Sequence, residues 1–433
     1  MKKYQTNEVY TPTSQAKLTF VERSTDINNE LVDSLMTPGK QIIIYGPSGT
    51  GKSTLIINKL NQTYESVIIS RCTNESLFED LVLDAFDQLN VFYNGGRSVT
   101  AFKSFGASLN KSYLLIQAQI QAVTSRTSTE KLERLLPPQL TPQRLAEFLG
   151  AASNCWVIED FHKLKHEEKT KFSQNMKVFV DSATDYPMLK MIAIGAVGTA
   201  REVVDYDKEL TNRVSEIFIP ILSKNELHEI LDKGEKLLNI QFTQAIKNKI
   251  VEFSNGLGSI CHQLALNICF SREVFETCEV KIKFNNSDLK LALEKFIKSN
   301  SDTLKGRFDK AIKVHRERIY NNGYTILQAL AQSTKDGIGF KELLKIIQKN
   351  DLDYPAGNLT QYLKKLQEED RGNIISHNRD NNTFSFSDPF IKTYVQCVFD
   401  EKNNLGNDTK EFQRQVTETL EKLMERILKK NKN

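Results

Sequence analysis

Nine consecutive residues near the start of the chain could do chemistry on phosphate. Gly46-Pro47-Ser48-Gly49-Thr50-Gly51-Lys52-Ser53-Thr54 matches the spacing GxxxxGK[ST]. Glycines let successive backbone N–H groups turn inward around phosphate oxygens. Lys52 can then reach the β- and γ-phosphates, and the Ser53 hydroxyl can ligate Mg²⁺. A chance match is expected in about one chain in a hundred of this length. The flanking sequence lowers that further. Gln41-Ile42-Ile43-Ile44-Tyr45 predicts a short buried parallel strand, and 55–60 predicts a continuing helix. A helix N-terminus after the loop adds a dipole favourable to anions. These residues predict a nucleoside triphosphate site.

Such a site also needs acid. The apolar run Cys155-Trp156-Val157-Ile158 ends in Glu159 and Asp160, as a parallel strand would where it finishes beside the phosphates. One carboxylate would join the Mg²⁺ shell, and the other would orient or deprotonate the attacking water. The residues leave open which does which. Two positions on, His162 could sense the γ-phosphate or simply pack the loop.

The surrounding composition is that of an ordinary globular protein: 433 residues, 39% hydrophobic, 26% charged, net charge +4. That length allows two to four domains with real cores. So small a charge does not by itself imply nucleic acid. The six cysteines have no CxxC pairing, and several sit in apolar runs, which predicts reduced core residues. Without an apolar stretch near ~18 residues or a signal-peptide core, the expected location is cytoplasmic, away from membranes.

In this order, these elements resemble the AAA+ and STAND ATPases, particularly the branch built like origin-recognition initiators and archaeal-type P-loop ATPases. The resemblance spans roughly 18–400 and includes Phe20-Val21-Glu22-Arg23, similar to that family's lead-in, whose backbone lines the adenine pocket. It implies ATP as ligand, with Arg23 in the binding set; no guanine-reading Asn-Lys-x-Asp is evident. It also implies an arginine that stabilises transition-state charge in a neighbouring subunit, for which Arg213 is the first candidate and Arg201 the second. Three departures stand out. The acids run Glu159 then Asp160, the reverse of the usual order. The strand over 191–198 carries Gly195 and Ala196 where a γ-phosphate sensor is usual, with Thr199 the nearest hydroxyl. In the lid's glycine-led helix, His262 stands nearest the place of the usual arginine.

The expected architecture is an α/β P-loop NTPase with a parallel sheet flanked by helices, then an all-α lid and a winged helix. Its parts are an N-terminal arm (1–17), an ATPase core (18–222) with a β-hairpin insertion at about 93–137, and a helical lid (223–304). A basic connecting helix and winged helix follow (305–400), then an amphipathic helix (401–433). In the winged helix, helices are expected over 325–332, 340–349 and 358–369, and strands over 373–377 and 383–386. Residues 319–400 carry 9 Lys and Arg against 10 Asp and Glu, a poor charge balance for gripping a duplex. Protein contacts are therefore favoured over DNA for this domain.

The expected function is an ATP-driven switch that oligomerises or changes shape to control a separately encoded protein. By resemblance alone, its settings include bacterial anti-phage defence. Two alternatives remain at this stage: a DNA-binding initiator or loader, and a nucleotide-binding scaffold with little hydrolysis.

Overall fold

The computed structural model describes residues 2–64, 66–89, 140–196, 210, 212–299, 302–314, 320–333, 337–379 and 381–400. The expected hairpin at 93–137, Thr199, Arg201 and the tail 401–433 lie outside them. The chain divides into two units: Gln15–Glu226, and Met1–Ser14 together with Leu227–Asn433.

In chain order, a single turn α1 (Thr6–Val9) belongs to the second unit, and the first unit opens with α2 (Thr25–Met36). Then come β1 (Gln41–Tyr45), α3 (Lys52–Thr63), β2 (Val67–Arg71), α4 (Phe78–Gln88), α5 (Pro142–Ala151) and β3 (Cys155–Glu159). A 3₁₀ turn (Phe161–Lys163), α6 (His166–Ser182), β4 (Lys190–Gly195) and β5 (Val214–Phe218) complete the sheet layer. The strand order is β2-β3-β4-β1-β5, with all four pairings parallel.

A parallel sheet with both faces covered reads as unbroken apolar strands, and that is what these strands are. Ile43, Trp156, Ile158, Met191 and Ala193 face one core with α4, α5 and α6 residues such as Phe86, Phe148 and Phe179. Their neighbours Ile42, Ile44, Cys155, Val157, Ile192 and Ile194 face the other, with Leu31 of α2 and Leu55 and Ile56 of α3. This period-two split holds the carboxyl ends of β1, β4 and β3 side by side. At the amino edge, buried Lys190 donates to the carbonyls of Thr37 and Lys40 (3.0 Å to the latter), satisfying the turn after α2.

From within α7 (Lys224–Leu238) the second unit continues with β6 (Ile240–Gln241), α8 (Gln244–Ser254), α9 (Gly258–Ser271), β7 (Ile282–Lys283), α10 (Asn286–Ser299) and α11 (Thr303–Ile312). Its last part holds α12 (Asn322–Gln332), β8 (Ile338–Gly339), α13 (Phe340–Asn350), α14 (Ala356–Lys365), β9 (Ile375–Asn378) and β10 (Thr383–Phe386). The antiparallel order β8-β10-β9 with three helices is consistent with a winged helix. Two helices differ from expectation at their ends. Asn321 accepts from the Tyr324 N–H and starts α12 early, while α14 stops at Lys365, leaving Glu369–Arg371 as a 3₁₀ turn.

The chain's opening segment is built into this second unit. Thr6 N–H donates to Phe275 O (2.8 Å), Thr277 N–H donates to Tyr4 O (2.9 Å), and Val9 and Tyr10 are wholly buried. Tyr10 fits only because residue 234 is glycine: a Cβ there would lie 2.2 Å from the Tyr10 hydroxyl. Among the described residues no helix is long and apolar enough to cross a membrane. None of the six cysteines forms a disulfide, and five of them are buried.

Candidate nucleotide site

β1 delivers the chain to Gly46 at the carboxyl edge of the sheet. Ile219 N–H donates to Tyr45 O (2.8 Å), so the chain after β5 runs close beside the loop. A Cβ on Gly46 (φ 140°) would lie 2.3 Å from Ile219 O, which is why this position takes glycine. Gly51, left-handed at φ 83°, N-caps α3 without any side-chain cap bond, and no acidic residue stands in that helix's first turn. The first N–H groups and the helix dipole are thus directed into the loop uncompensated. No heavy atom lies within 4 Å of a Cβ built on Gly51, so there is room over the helix end. Donors and space together suit a polyphosphate.

Lys52 is buried, and its Nζ donates to the carbonyls of Gly46 (3.0 Å) and Pro47 (2.7 Å). Burial lowers its pKa to about 8, and the charge of Asp160 opposes that shift. An ammonium held only by neutral carbonyls would gain from an anionic acceptor. Arg23 braces the loop from below, donating through Nη2 to Thr50 O while Nη1 meets Glu226 at 3.5 Å. Burial lowers its pKa, and Glu226 works against that. Glu22 pairs with Lys59 of α3 at 2.8 Å, so the Phe20–Arg23 lead-in lies along the helix that follows the loop.

The two acids are handled differently. Glu159 ends β3 in register with Arg71, the last residue of β2, whose Nε donates to Glu159 Oε2 at 3.0 Å. Asp160 turns left-handed (φ 60°), a conformation Asp tolerates, and begins the 3₁₀ turn. Its carboxylate takes Lys163 at 2.7 Å, an exposed pair of little energetic weight. Asp160 is also the charge felt at Lys52. Among the described residues no group of three His, Cys, Asp or Glu could hold a metal. The side chains that could hold a cation here are Ser53, Glu159 and Asp160, with phosphate oxygens and water completing its shell.

The 3₁₀ turn is anchored to β4. Ala196 N–H donates to His162 Nδ1 at 3.1 Å. Gly195 is level with Tyr45 in the sheet, and a Cβ there would lie 2.5 Å from the buried Phe161 ring. A side chain at position 195 would therefore have to displace that ring.

No protein-family model matches the chain, and no curated protein matches it. Among solved structures, it is similar to the Walker-type ATPase of Pyrococcus abyssi, with 15% identity, 88% of this chain and 100% of that one covered, and a TM-score of 0.49. It is also similar to Cdc6p of Pyrobaculum aerophilum (13%, 92% and 98% covered, TM-score 0.42). The ORC2 protein of Aeropyrum pernix, in ADPNP–ADP complexes, gives 12%, 88% and 92% covered, and 0.42.

Arg213 and His262, the two candidates furthest from the loop in sequence, each have partners of their own. Arg213 sits at the amino edge of the sheet, where its carbonyl accepts from Gln41 N–H (2.9 Å) and its guanidinium meets Asp181 at 3.3 Å. That is the opposite end of β1 from Gly46, roughly 15 Å away for a five-residue strand. His262 belongs to the other unit. It is 4% exposed, its Nδ1 accepts from Thr11 N–H (3.1 Å), and burial lowers its pKa to about 4. Arg71 was not anticipated. Its only sequence signal is its place after the β-branched run Val67-Ile68-Ile69.

Proposed function

We propose that the chain binds ATP with Mg²⁺ at Gly46 to Thr54, hydrolyses it, and acts as a switch controlling a separately encoded protein. The observation that carries this reading is the loop itself: glycines 46, 49 and 51 at positive φ leading into an uncapped helix that starts with buried Lys52. Such a loop offers backbone N–H donors and one cation to a triphosphate.

In this reading Lys52 leaves the Gly46 and Pro47 carbonyls for β- and γ-phosphate oxygens. Ser53 and Asp160 hold the Mg²⁺, which would supply charge neutralisation on the phosphates. Glu159 orients the attacking water and accepts its proton once free of Arg71. Arg213 is too far from its own chain's loop to take part in cis, so its role would be in trans, across an interface between copies. Control of a protein partner, and anti-phage defence as its setting, rest on the sequence resemblance.

The test is equilibrium binding of ATP to wild type and Lys52→Ala, together with turnover by Glu159→Gln, Asp160→Asn and the double variant. Lys52→Ala should lower affinity at least ~100-fold, as loss of a buried charged contact would. Unchanged affinity would refute nucleotide binding here. Wild-type turnover no faster than that of the double variant would leave a binding scaffold, not an enzyme.

A further inference from the structure

The missing sensor at Gly195 leaves the terminal phosphate without a reader on β4. The geometry points to His162 as the residue that reads it, through its Nε2–H, an inference that rests on the nucleotide site proposed above. β4 lies directly between β3 and β1, and its last residue, Gly195, is in register with Tyr45, which immediately precedes the loop. Ala196 is thus level with the start of the loop. It is the Ala196 N–H that holds His162 by Nδ1 at 3.1 Å, drawing the turn after β3 across the end of β4 toward Gly46.

That bond also sets the tautomer. With Nδ1 accepting, the neutral ring carries its proton on Nε2, at the side of the ring away from Ala196. No acceptor for Nε2 is recorded among the described residues, and the side chain is partly exposed. The ring stands on the turn that Asp160 begins, two residues after that carboxylate. Phe161 completes the arrangement. Its ring, stacked on Phe172, fills the volume that a β4 side chain would need, and the same backbone turn that buries Phe161 presents His162. One turn both removes the usual position and supplies a donor beside it.

A donor placed this way distinguishes three phosphates from two. The test measures binding of ADP and of a non-hydrolysable ATP analogue, each with Mg²⁺, to the full chain by calorimetry. His162→Ala should weaken the triphosphate analogue about tenfold or more while leaving ADP within about twofold. His162→Gln, which keeps an N–H near the Nε2 position, should recover part of the loss. Equal weakening of both nucleotides would mean that His162 only holds the turn, and would overturn the proposal. So would no weakening of either. Lys52→Ala, run alongside, separates the two ideas: if it abolishes binding while His162→Ala changes nothing, the site stands and the phosphate reader does not. If wild type binds neither nucleotide, both fall.

Discussion

Arg71 Nε donates to Glu159 Oε2 at 3.0 Å, joining the final residues of two adjacent parallel strands. Glu159 is nearly buried, while Arg71 is two-thirds exposed. The pair therefore occupies one oxygen of the carboxylate that the proposed reaction needs for water. A half-solvated ion pair is worth about 1 kcal/mol, enough to bias the carboxylate without locking it. Arg71→Ala should raise basal ATP turnover several-fold, with ATP affinity within about twofold of wild type. Steady-state kinetics would check this, and a fall in turnover would show that Arg71 assists the reaction instead of restraining it.

Replacing Gly195 with serine should not restore a sensor. Its Cβ would meet the Phe161 ring at 2.5 Å, and overpacking of this kind costs roughly 1–3 kcal/mol. Chemical denaturation should show that loss for Gly195→Ser. Phe161→Leu in the same chain should recover part of it, because residues in contact couple. Additive effects would argue against the clash.

Tyr10 should matter more than its place in an opening segment suggests. It is wholly buried against Gly234 and beside His262, ring to ring at 6.1 Å. Tyr10→Ala should destabilise the second unit by about 3–5 kcal/mol, the range for emptying an aromatic site. Tyr10→Phe should cost far less, since the hydroxyl reaches Leu231 O only at 3.5 Å. Denaturant midpoints of the two variants would test the contrast.

Acid should weaken the same region through His262. The folded chain keeps this ring neutral down to about pH 4 because it is buried. The unfolded chain takes up the proton near pH 6.5. The unfolded state therefore binds more protons between those values, and stability falls as pH drops from about 6.5 toward 4, by up to ~3 kcal/mol. His262→Gln should flatten that part of a stability-against-pH curve. An unchanged slope would assign the acid sensitivity elsewhere.

How much of this could be read in the chain follows from how local each feature is. The phosphate loop is nine adjacent residues, and the strand before it was expected over the residues it occupies, 41–45. The acidic strand is equally local: four apolar residues and two acids. The α/β sheet, the helical region and the small antiparallel sheet follow from periodicity within short windows. Helix ends were less legible, since a cap such as Asn321 decides them by a single bond.

By itself, then, the sequence determined the fold class and the loop, because backbone conformation and apolar periodicity are set by near neighbours. Only the tertiary structure decided what each candidate side chain does. Arg71 faces Glu159 across 88 positions, Tyr10 fills the space over Gly234, and His262 is taken up by Thr11 across 251. Arg213 stands at the amino edge of the sheet because it directly precedes β5, which pairs parallel with β1, and the bond from Ala196 N–H brings His162 beside the end of β4. These are contacts between segments distant in the chain, fixed by register and packing, and no short stretch of residues carries them.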